Sequence, residues 1–165
     1  MTDGLEFYET VESKPERQSL SEITSVRNEL VYFRLVKVVH GIYSKLNKEL
    51  LKAGLTAPQF EVISLLARIK DVKLKDIGEL LLITGGNVTG IMDRLEKMGY
   101  VERIRDVSDR RVIKARLVKK GFAIFKKADI HYRNTLDGVI CSLNKKEKRI
   151  ISGLLKRIER KLNLV

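Results

Sequence analysis

Residues 74–117 read LKDIGELLLITGGNVTGIMDRLEKMGYVERIRDVSDRRVIKARL, and this stretch decides the fold. It begins with a short apolar pattern, Leu74 to Leu81, which predicts a helix that ends before Leu82-Ile83-Thr84. Apolar residues then recur at the three- and four-residue steps of a second helix: Val88, Ile91, Met92 and Leu95. Gly99 is the glycine expected just past the end of that helix. Two short helices joined by three or four residues, the second amphipathic, predict a helix-turn-helix.

After Gly99 the hydrophobic period changes from that of a helix to that of a strand. Tyr100 to Arg105 and Val112 to Leu117 predict two short strands, because apolar and basic residues alternate in the second of them. The polar stretch from Asp106 to Arg111 lies between them and predicts a hairpin loop, or wing. The expected fold class is therefore mainly α with a small β-hairpin, a winged helix-turn-helix.

The wing region is strongly basic. Between Glu102 and Gly121 there are eight basic residues against three acidic ones, and the whole chain of 165 residues has a formal net charge of +12. The narrow minor groove of A·T-rich DNA attracts an arginine at a hairpin tip, and a helix before the hairpin is able to read base edges in the major groove. A basic hairpin alone is most simply a solvated surface. Directly after a helix-turn-helix, in a basic chain, it indicates double-stranded DNA as the partner.

The segment before the winged helix predicts a dimerisation helix. From Val26 to Gly54, apolar residues form two stripes on one helix, which therefore needs two partners. We interpret the second partner as another copy of the chain, with a central position of the helix in the fold as the alternative. Thr56 followed by Gln59 has the pattern of a capping box and predicts the start of the next helix, which runs to about Ile69. Residues 1–25 contain two basic and six acidic residues. We interpret them as a flexible arm, with coverage of a basic face as the alternative.

C-terminal to the wing, helical periodicity returns at about Lys119 and continues towards Cys141. Asn144, with Glu147 three residues later, predicts another capping box at the start of the final helix. That helix is expected to bury six apolar residues: Ile150, Ile151, Leu154, Leu155, Ile158 and Leu162. The chain is thus divided into an acidic arm (1–25), a dimerisation helix (26–54), a winged helix-turn-helix (55–118) and C-terminal dimerisation helices (119–165).

The composition excludes several classes of function. Cys141 is the only cysteine and there are two histidines, so we expect neither a disulfide framework nor a conventional metal site. No Ser-His-Asp set, Gly-rich phosphate loop or paired-carboxylate motif is visible, so we expect no enzymatic activity and no cofactor. The chain has no apolar run of about eighteen residues, and its N-terminus has no apolar core. We expect a soluble, cytoplasmic protein without a membrane span.

The sequence from Asn87 to Arg103, NVTGIMDRLEKMGYVER, resembles the MarR family of winged-helix transcription regulators. The resemblance continues into the wing, DVSDRR at residues 106–111, and into LVKKG at residues 117–121, within a match over roughly residues 26–162. It implies a homodimer whose N- and C-terminal helices pack together and whose winged helices each bind half of a pseudo-palindromic operator. In such proteins the helix after the turn enters the major groove and a wing arginine enters the minor groove.

The resemblance implies roles for residues of the recognition helix. Asn87 and Thr89 are polar and on its outward side, so we expect them to contact bases. Thr84 is expected to cap the helix or bind phosphate. Arg94 is expected to hold a phosphate or support the fold.

Roles in the wing follow in the same way. Arg110 is the first choice for the minor groove, with Arg111 as the supporting or alternative contact. Asp109 is expected to orient one of these arginines by a charge-assisted hydrogen bond. Lys114 and Arg116 lie on the predicted wing strands and are expected to meet phosphates.

Four positions depart from the family pattern. Gly85 and Gly86 stand where relatives often carry larger polar residues. Each weakens the helix by about 1 kcal/mol relative to alanine, and both leave fewer side chains for base reading or allow the backbone to approach phosphates. Leu82 stands where glycine is common, which predicts a longer turn. Val118 stands where threonine often caps the next helix, which predicts that this cap is missing.

Many relatives bind a small aromatic or phenolic effector between the dimerisation helices and the winged helix. His40, Tyr43 and Tyr132 are the candidates to line such a cleft, with ordinary core or interface positions as the alternative. The expected function is a sequence-specific, ligand-responsive transcription regulator. Two others stay open: a sequence-tolerant DNA-compacting protein, which the high charge would suit, and a winged helix used as a protein-interaction module, against which the paired wing arginines argue.

Overall fold

The computed structural model describes residues 27–106, 108–109 and 111–164. The acidic arm of residues 1–25, the predicted helix start at Val26 and the wing residue Arg110 lie outside the described residues. The elements are α1 (Asn28–Leu51), α2 (Ala57–Arg68), β1 (Val72–Lys73), α3 (Leu74–Leu81), α4 (Gly85–Lys97), β2 (Val101–Arg105), β3 (Ile113–Leu117), α5 (Lys119–Ile140) and α6 (Lys145–Lys161). The predicted fold class is confirmed, since helices dominate and a small antiparallel sheet forms the wing.

The described residues fall into two units that divide after Val39, and α1 contributes to both. Within the described ranges, no helix is long and apolar enough to cross a membrane. The same ranges contain no group of three or more His, Cys, Asp or Glu residues placed to hold a metal ion.

The sheet of the winged helix has the strand order β1-β3-β2, and both pairs are antiparallel. Ala115 in the middle strand pairs with Val72 on one side and with Arg103 on the other. β2 and β3 form the predicted hairpin, each starting one residue later than expected. β1 was not predicted, because it is two residues long and its partner strand lies about 40 residues further along the chain.

The core of the winged helix lies between α2, α3, α4 and the sheet. Its largest fully buried side chains are Leu50, Leu55, Val62, Ile63, Ile77, Met92 and Leu95. The apolar residues predicted to face inward from the second helix of the helix-turn-helix are all buried: Val88, Ile91, Met92 and Leu95. This packing fixes which side of α4 is turned away from the core.

Both predicted capping boxes are present. At the start of α2, the N–H of Gln59 donates to Thr56 Oγ1 over 3.4 Å, and the N–H of Thr56 donates to Gln59 Oε1 over 2.9 Å. At the start of α6, the N–H groups of Lys146 and Glu147 donate to Asn144 Oδ1 over 2.9 and 3.0 Å. The N–H of Asn144 in turn donates to Glu147 Oε2 over 2.8 Å. Each box satisfies donors that the first turn of a helix leaves without an intrahelical partner.

Two other helix starts have no side-chain cap. Thr84 is the N-cap residue of α4, as predicted, but its side chain makes no capping hydrogen bond. Val118 occupies the same position of α5 and has none either, which confirms the predicted missing cap. Among the described residues, therefore, no side chain at the N-cap position competes for the first amides of α4.

The turn between α3 and α4 contains a leucine in the left-handed conformation. Leu82 has φ +54° and is 73% exposed. The N–H of Ile83 donates to Gly78 O over 2.9 Å, which closes the turn. The longer turn that Leu82 predicts is not observed, because the backbone takes up the leucine in a conformation that glycine adopts without strain.

Gly121 allows α5 to approach the wing hairpin closely. A Cβ added there would lie 2.1 Å from the carbonyl oxygen of Tyr100 and 2.6 Å from Cδ1 of Leu117. The Tyr100 carbonyl is held in place, since it accepts a hydrogen bond from the N–H of Val118 over 3.1 Å. The contact between α5 and the wing therefore requires glycine at this position.

The apolar side of α6, which the sequence predicts to be buried as part of a dimerisation helix, is exposed in the single chain. The exposed residues, here named the α6 apolar face, are Ile150, Ile151, Leu154, Leu155, Ile158 and Leu162. On α1, Val31, Tyr32, Val38 and Val39 are exposed as well. These faces are exposed in one chain, and their burial in a homodimer stays a prediction.

Candidate nucleic-acid interface

The start of α4 presents two polar side chains to solvent. Asn87 and Thr89, the predicted base contacts, are both exposed. Thr89 Oγ1 donates a hydrogen bond to Gly85 O over 3.1 Å, a bond that threonine makes to the preceding turn of a helix. By helical geometry, Asn87 and Thr89 lie on the two flanks of the side of α4 that faces away from the core.

The middle of that open side is bare. By helical geometry Gly86 and Gly90 share one side of α4, between the flanks that carry Asn87 and Thr89. A Cβ added at Gly85, Gly86 or Gly90 meets no atom within 4 Å. Packing does not require these glycines, and their effect is to remove side chains from the surface opposite the core.

Arg103 on β2 fixes the last turns of α4 to the sheet. Its guanidinium donates to Glu96 Oε2 over 2.5 Å and to Asp93 Oδ1 over 2.6 Å. Nη2 also donates to the carbonyl of Thr89 over 3.4 Å, and the N–H of Arg103 donates to Glu96 Oε1 over 3.2 Å. The Arg103 side chain is only 22% exposed. It was counted among the basic residues of the wing, but the structure turns it towards the recognition helix and two carboxylates.

Asp106 organises the base of the wing. Its Oδ1 accepts hydrogen bonds from the N–H groups of Ser108 and Asp109 over 2.8 and 3.1 Å, and its Oδ2 forms an ion pair with Lys114. The hydrogen bond with Lys114 and these backbone donors lower the pKa of Asp106 to about 2. Lys114, predicted to meet phosphate, therefore has an acidic partner inside the wing. Its contact with DNA stays a prediction.

Arg111 is the arginine that Asp109 orients in the described part of the wing. Its Nε donates to Asp109 Oδ1 over 3.2 Å, and its N–H donates to the same oxygen over 3.0 Å. The Arg111 side chain is 92% exposed, so its guanidinium projects into solvent. Entry of Arg110 or Arg111 into a minor groove stays a prediction.

Arg116 connects the wing to the loop before β1. Its Nε and Nη2 donate to the two carboxylate oxygens of Asp71 over 2.6 and 2.9 Å, and Glu102 lies 3.7 Å away on its other side. The hydrogen bonds from Arg116 lower the pKa of the Asp71 carboxyl. A phosphate contact by Arg116 also stays a prediction, since DNA would compete with this bidentate pair.

A cavity of about 570 Å³ lies beside α4 on the flank that carries Asn87. Asn87 and Arg94 line it from α4, and Tyr43 and Glu61 line it from α1 and α2. Burial raises the pKa of the Glu61 carboxyl. Burial, followed by the charge of Glu61, raises the pKa of Tyr43. Sequence reasoning missed Glu61, although a lone acidic residue within the apolar run of α2 was a usable signal.

Two of the three candidate effector residues line cavities that share Glu61. Tyr43 lines the larger one, whereas Tyr132 packs on the ring of Phe60, with ring centroids 4.8 Å apart, and lines a cavity of about 190 Å³. His40 is exposed and lines neither of these two cavities. The grouping of His40, Tyr43 and Tyr132 around one effector stays a prediction.

On the opposite flank of α4, Thr84 and Thr89 border a shallow depression of about 740 Å³. Apolar residues of α3 and the turn, including Leu74 and Leu82, and the charged side chains of Lys75 and Glu79 also line it. Thr84 thus lies at the open edge of the helix-turn-helix, next to the uncapped amides of α4.

Replacing Glu61 with glutamine should stabilise the protein at pH 7. Burial raises the pKa of the Glu61 carboxyl, so this group is harder to ionise in the folded chain than in the unfolded chain. As the pH rises above the ordinary pKa of glutamate, ionisation therefore favours the unfolded chain and lowers the stability of the folded one. Thermal unfolding should therefore give a higher Tm for Glu61→Gln than for the parent at pH 7. The difference should disappear near pH 4, where both chains carry a neutral group. A lower Tm for the variant at pH 7 contradicts this account.

The helix-turn-helix, the basic hairpin and the polar start of α4 define a DNA-binding protein of the winged-helix class. Three comparisons show which known proteins the chain resembles. The model of the MarR family matches residues 55–113, which span the helix-turn-helix and most of the wing. A curated relative, the HTH-type transcriptional regulator MhqR of Bacillus subtilis, is 28% identical over 128 residues, covering 78% of this chain and 88% of the relative.

Two solved structures show the same fold. A MarR-like transcription regulator from Bacillus cereus has a TM-score of 0.75 and 27% identity, over 82% of this chain and 97% of its own. A MarR mutant from E. coli, solved in complex with operator DNA, has a TM-score of 0.72 and 25% identity, over 82% and 99%. The chain is thus similar to MarR-family transcription regulators, which share its winged-helix fold and include a structure solved with operator DNA. The resemblance drawn from the sequence is confirmed.

Proposed function

We propose that this chain is a sequence-specific, ligand-responsive transcription regulator that binds a pseudo-palindromic operator as a homodimer in the cytoplasm. The observation that carries the proposal is the exposed, polar start of α4 beside a wing whose arginine projects into solvent. A helix of this kind fits the major groove, while an arginine at the adjacent hairpin tip reaches the minor groove. The similar protein from E. coli was solved with operator DNA, which supports DNA as the partner.

Base reading is assigned to the two flanks of α4. Asn87 has an amide that is able to bond adenine in a bidentate manner, and Thr89 presents a hydroxyl and a methyl group on the other flank. The bare surface at Gly86 and Gly90 allows the helix axis to come closer to the groove floor than larger residues would. Arg94 and Thr84, at the edges of the helix, are placed to contact phosphates.

Replacing Asn87 with alanine should cost about 1–3 kcal/mol of binding free energy on the operator and little on random DNA, because only the operator offers the matching base edge. The operator is first selected from a pool of random duplexes, and binding to it and to a random duplex is then measured at one salt concentration. Asn134→Ala, which removes an exposed amide from α5, is the matched control and should change neither affinity. An unchanged operator-to-random ratio for Asn87→Ala would favour the sequence-tolerant alternative.

Arg103→Ala should weaken operator binding about tenfold, the equivalent of about 1.4 kcal/mol. The substitution frees the end of α4 from the sheet and leaves the carboxylates of Asp93 and Glu96 without their cation, close to where DNA phosphates must lie. Arg103→Lys should recover only part of the affinity, since an ammonium cannot form the forked pair. Arg133→Ala on α5 removes an arginine paired with Asp129 and is the control. Equal losses for Arg103→Ala and Arg133→Ala would exclude a specific role for Arg103.

The homodimer is supported by the exposed apolar residues of α1 and α6. Six apolar side chains on one side of α6 remain in contact with water in a single chain, and an apolar surface of this kind is stabilised when a second copy covers it. Two tethered winged helices then bind two half-sites at once, which raises the effective concentration of the second.

Response to a small aromatic or phenolic ligand is assigned to the cavity lined by Tyr43, Glu61, Asn87 and Arg94. A phenol there is able to donate its hydroxyl hydrogen to the Glu61 carboxylate while its ring contacts the apolar wall. Because Asn87 and Arg94 also belong to the proposed DNA surface, a ligand and DNA would contact the same two side chains. A ligand that prefers one position of α4 would thereby change the affinity for DNA.

The sequence-tolerant alternative has one specific observation in its favour. Three glycines on the exposed part of α4, Gly85, Gly86 and Gly90, offer no side chains for direct base reading. The Asn87→Ala experiment separates the two functions, because a sequence-tolerant protein would bind operator and random DNA with similar affinities before and after the substitution.

A further inference from the structure

The positive charge of the protein is concentrated outside the winged helix. Residues 55–118 contain twelve basic and nine acidic residues, whereas residues 119–165 contain thirteen basic and four acidic residues. The C-terminal helices therefore carry an excess of +9, three times the +3 of the domain that is expected to meet DNA. An excess of this size favours a polyanionic partner of its own.

Ion pairs make the difference larger. In the winged helix, Arg103, Lys114 and Arg116 are each paired with carboxylates, and all three side chains are less than half exposed. In contrast, no ion pair among the described residues includes a basic residue of α6, although α6 has eight basic and two acidic residues. The basic residues of α6 are all exposed.

Four of these residues form a line along one side of the helix. Lys145, Arg149, Lys156 and Arg160 follow at steps of four, seven and four residues, which places them on one side of α6, and they are here named the α6 basic stripe. The stripe is about 22 Å long at the rise of an α-helix. Helical geometry puts it opposite the α6 apolar face, so a second copy of the chain that covers the apolar face leaves the stripe open to solvent.

We propose that the α6 basic stripe binds the phosphate backbone of a second DNA duplex, separate from the one held by the winged helices. The proposal rests on the homodimer proposed above, because the apolar face must be covered for only the basic side to remain exposed. Duplex DNA carries about one negative charge per 1.7 Å of its axis, so a line of cations about 22 Å long is able to contact phosphates without reading bases. The dimer would then hold two duplexes together.

The shape of the helix argues against the other acidic partners. A helix that binds a membrane surface inserts its apolar side into the lipid interface. In the proposed homodimer the second copy covers the α6 apolar face, so α6 has no apolar side left to insert. A protein partner would be expected to use aromatic anchors, and α6 has no aromatic residue.

The test is a bridging experiment on the full-length protein. One short duplex of random sequence is immobilised, the protein is added, and retention of a second, labelled random duplex is measured across a salt series. The variant carries Lys145→Gln, Arg149→Gln, Lys156→Gln and Arg160→Gln together. The control carries the same loss of charge on other exposed lysines of α1 and α5: Lys45→Gln, Lys48→Gln, Lys126→Gln and Lys127→Gln. Affinity for a single duplex is measured in parallel for all three proteins.

The parent protein should retain the second duplex, and raising the salt from 50 to 200 mM should weaken that retention about 100-fold, the effect of about four phosphate contacts. The stripe variant should lose retention at least about tenfold, with single-duplex affinity and dimer size unchanged, and the control should behave like the parent. Equal losses in the stripe variant and the control, or no retention by the parent, overturn the proposal. Capture of the parent by anionic lipid vesicles without retention of DNA also overturns it. Failure of Asn87→Ala to change specificity leaves this result unaffected, so the two proposals fail separately.

Discussion

We expect the Gly121→Ala variant to lose about 3 kcal/mol of its free energy of unfolding, the upper part of the usual range for an overpacked site. The added methyl group would lie 2.1 Å from the Tyr100 carbonyl oxygen, which is itself fixed by the N–H of Val118. Relief requires α5 to move away from the hairpin, and that movement breaks the contact on which the wing is built. Denaturant unfolding followed by circular dichroism, at a fixed protein concentration, measures the loss.

Gly138 provides the matched control in the same helix. A Cβ added at Gly138 meets no atom within 4 Å, and the residue lies within α5. Alanine there should be neutral or should stabilise the chain by up to about 1 kcal/mol, because alanine is the better helix former. Similar losses in the two variants would show that the close approach at Gly121 is not the cause.

The second large effect is expected from Leu154→Glu in the centre of the α6 apolar face. A carboxylate there cannot be buried against another copy without a partner, so the variant should be monomeric in light scattering. Loss of the tether between two winged helices should lower operator affinity at least about 100-fold. Its circular dichroism spectrum should stay helical, since Leu154 is half exposed in the single chain and does not contribute to the winged-helix core.

Ser152→Glu introduces the same charge two residues away, on the side of α6 away from the apolar face. This control should remain a dimer in light scattering. If Leu154→Glu also remains a dimer with full operator affinity, the apolar face is not the dimer interface and the homodimer must be built elsewhere.

The parts of the fold that depend on local signals were predictable. The boxes at Thr56 and Asn144 each depend on a partner three residues away, and α3 has the bounds that its apolar pattern predicted. β1 was not predictable, since its two residues become a strand only through pairing with Ala115 and Lys114. Periodicity identified the apolar face of the last helix, but it does not show whether the same chain or another one covers that face.

The candidate site, like the fold, was predictable where it depends on local signals. The outward position of Asn87 and Thr89 follows from the helical period, and the structure leaves both exposed as expected. The helical period does not predict which carboxylates pair with the basic residues. Arg116 pairs with Asp71 across 45 residues of sequence, and Arg103 reaches back to α4. Composition counts such residues as available charge, whereas packing brings carboxylates to them.

Replacing Leu82 with glycine would stabilise the turn of the helix-turn-helix. The left-handed conformation costs a non-glycine residue about 1–2 kcal/mol, and the 73% exposed side chain gains little from burial in return. Glycine would remove that cost, offset in part by its larger entropy in the unfolded chain. Under selection at a higher growth temperature, the single change of Leu82 to glycine would therefore increase stability. The change would alter neither the buried side of α4 nor its DNA-facing side.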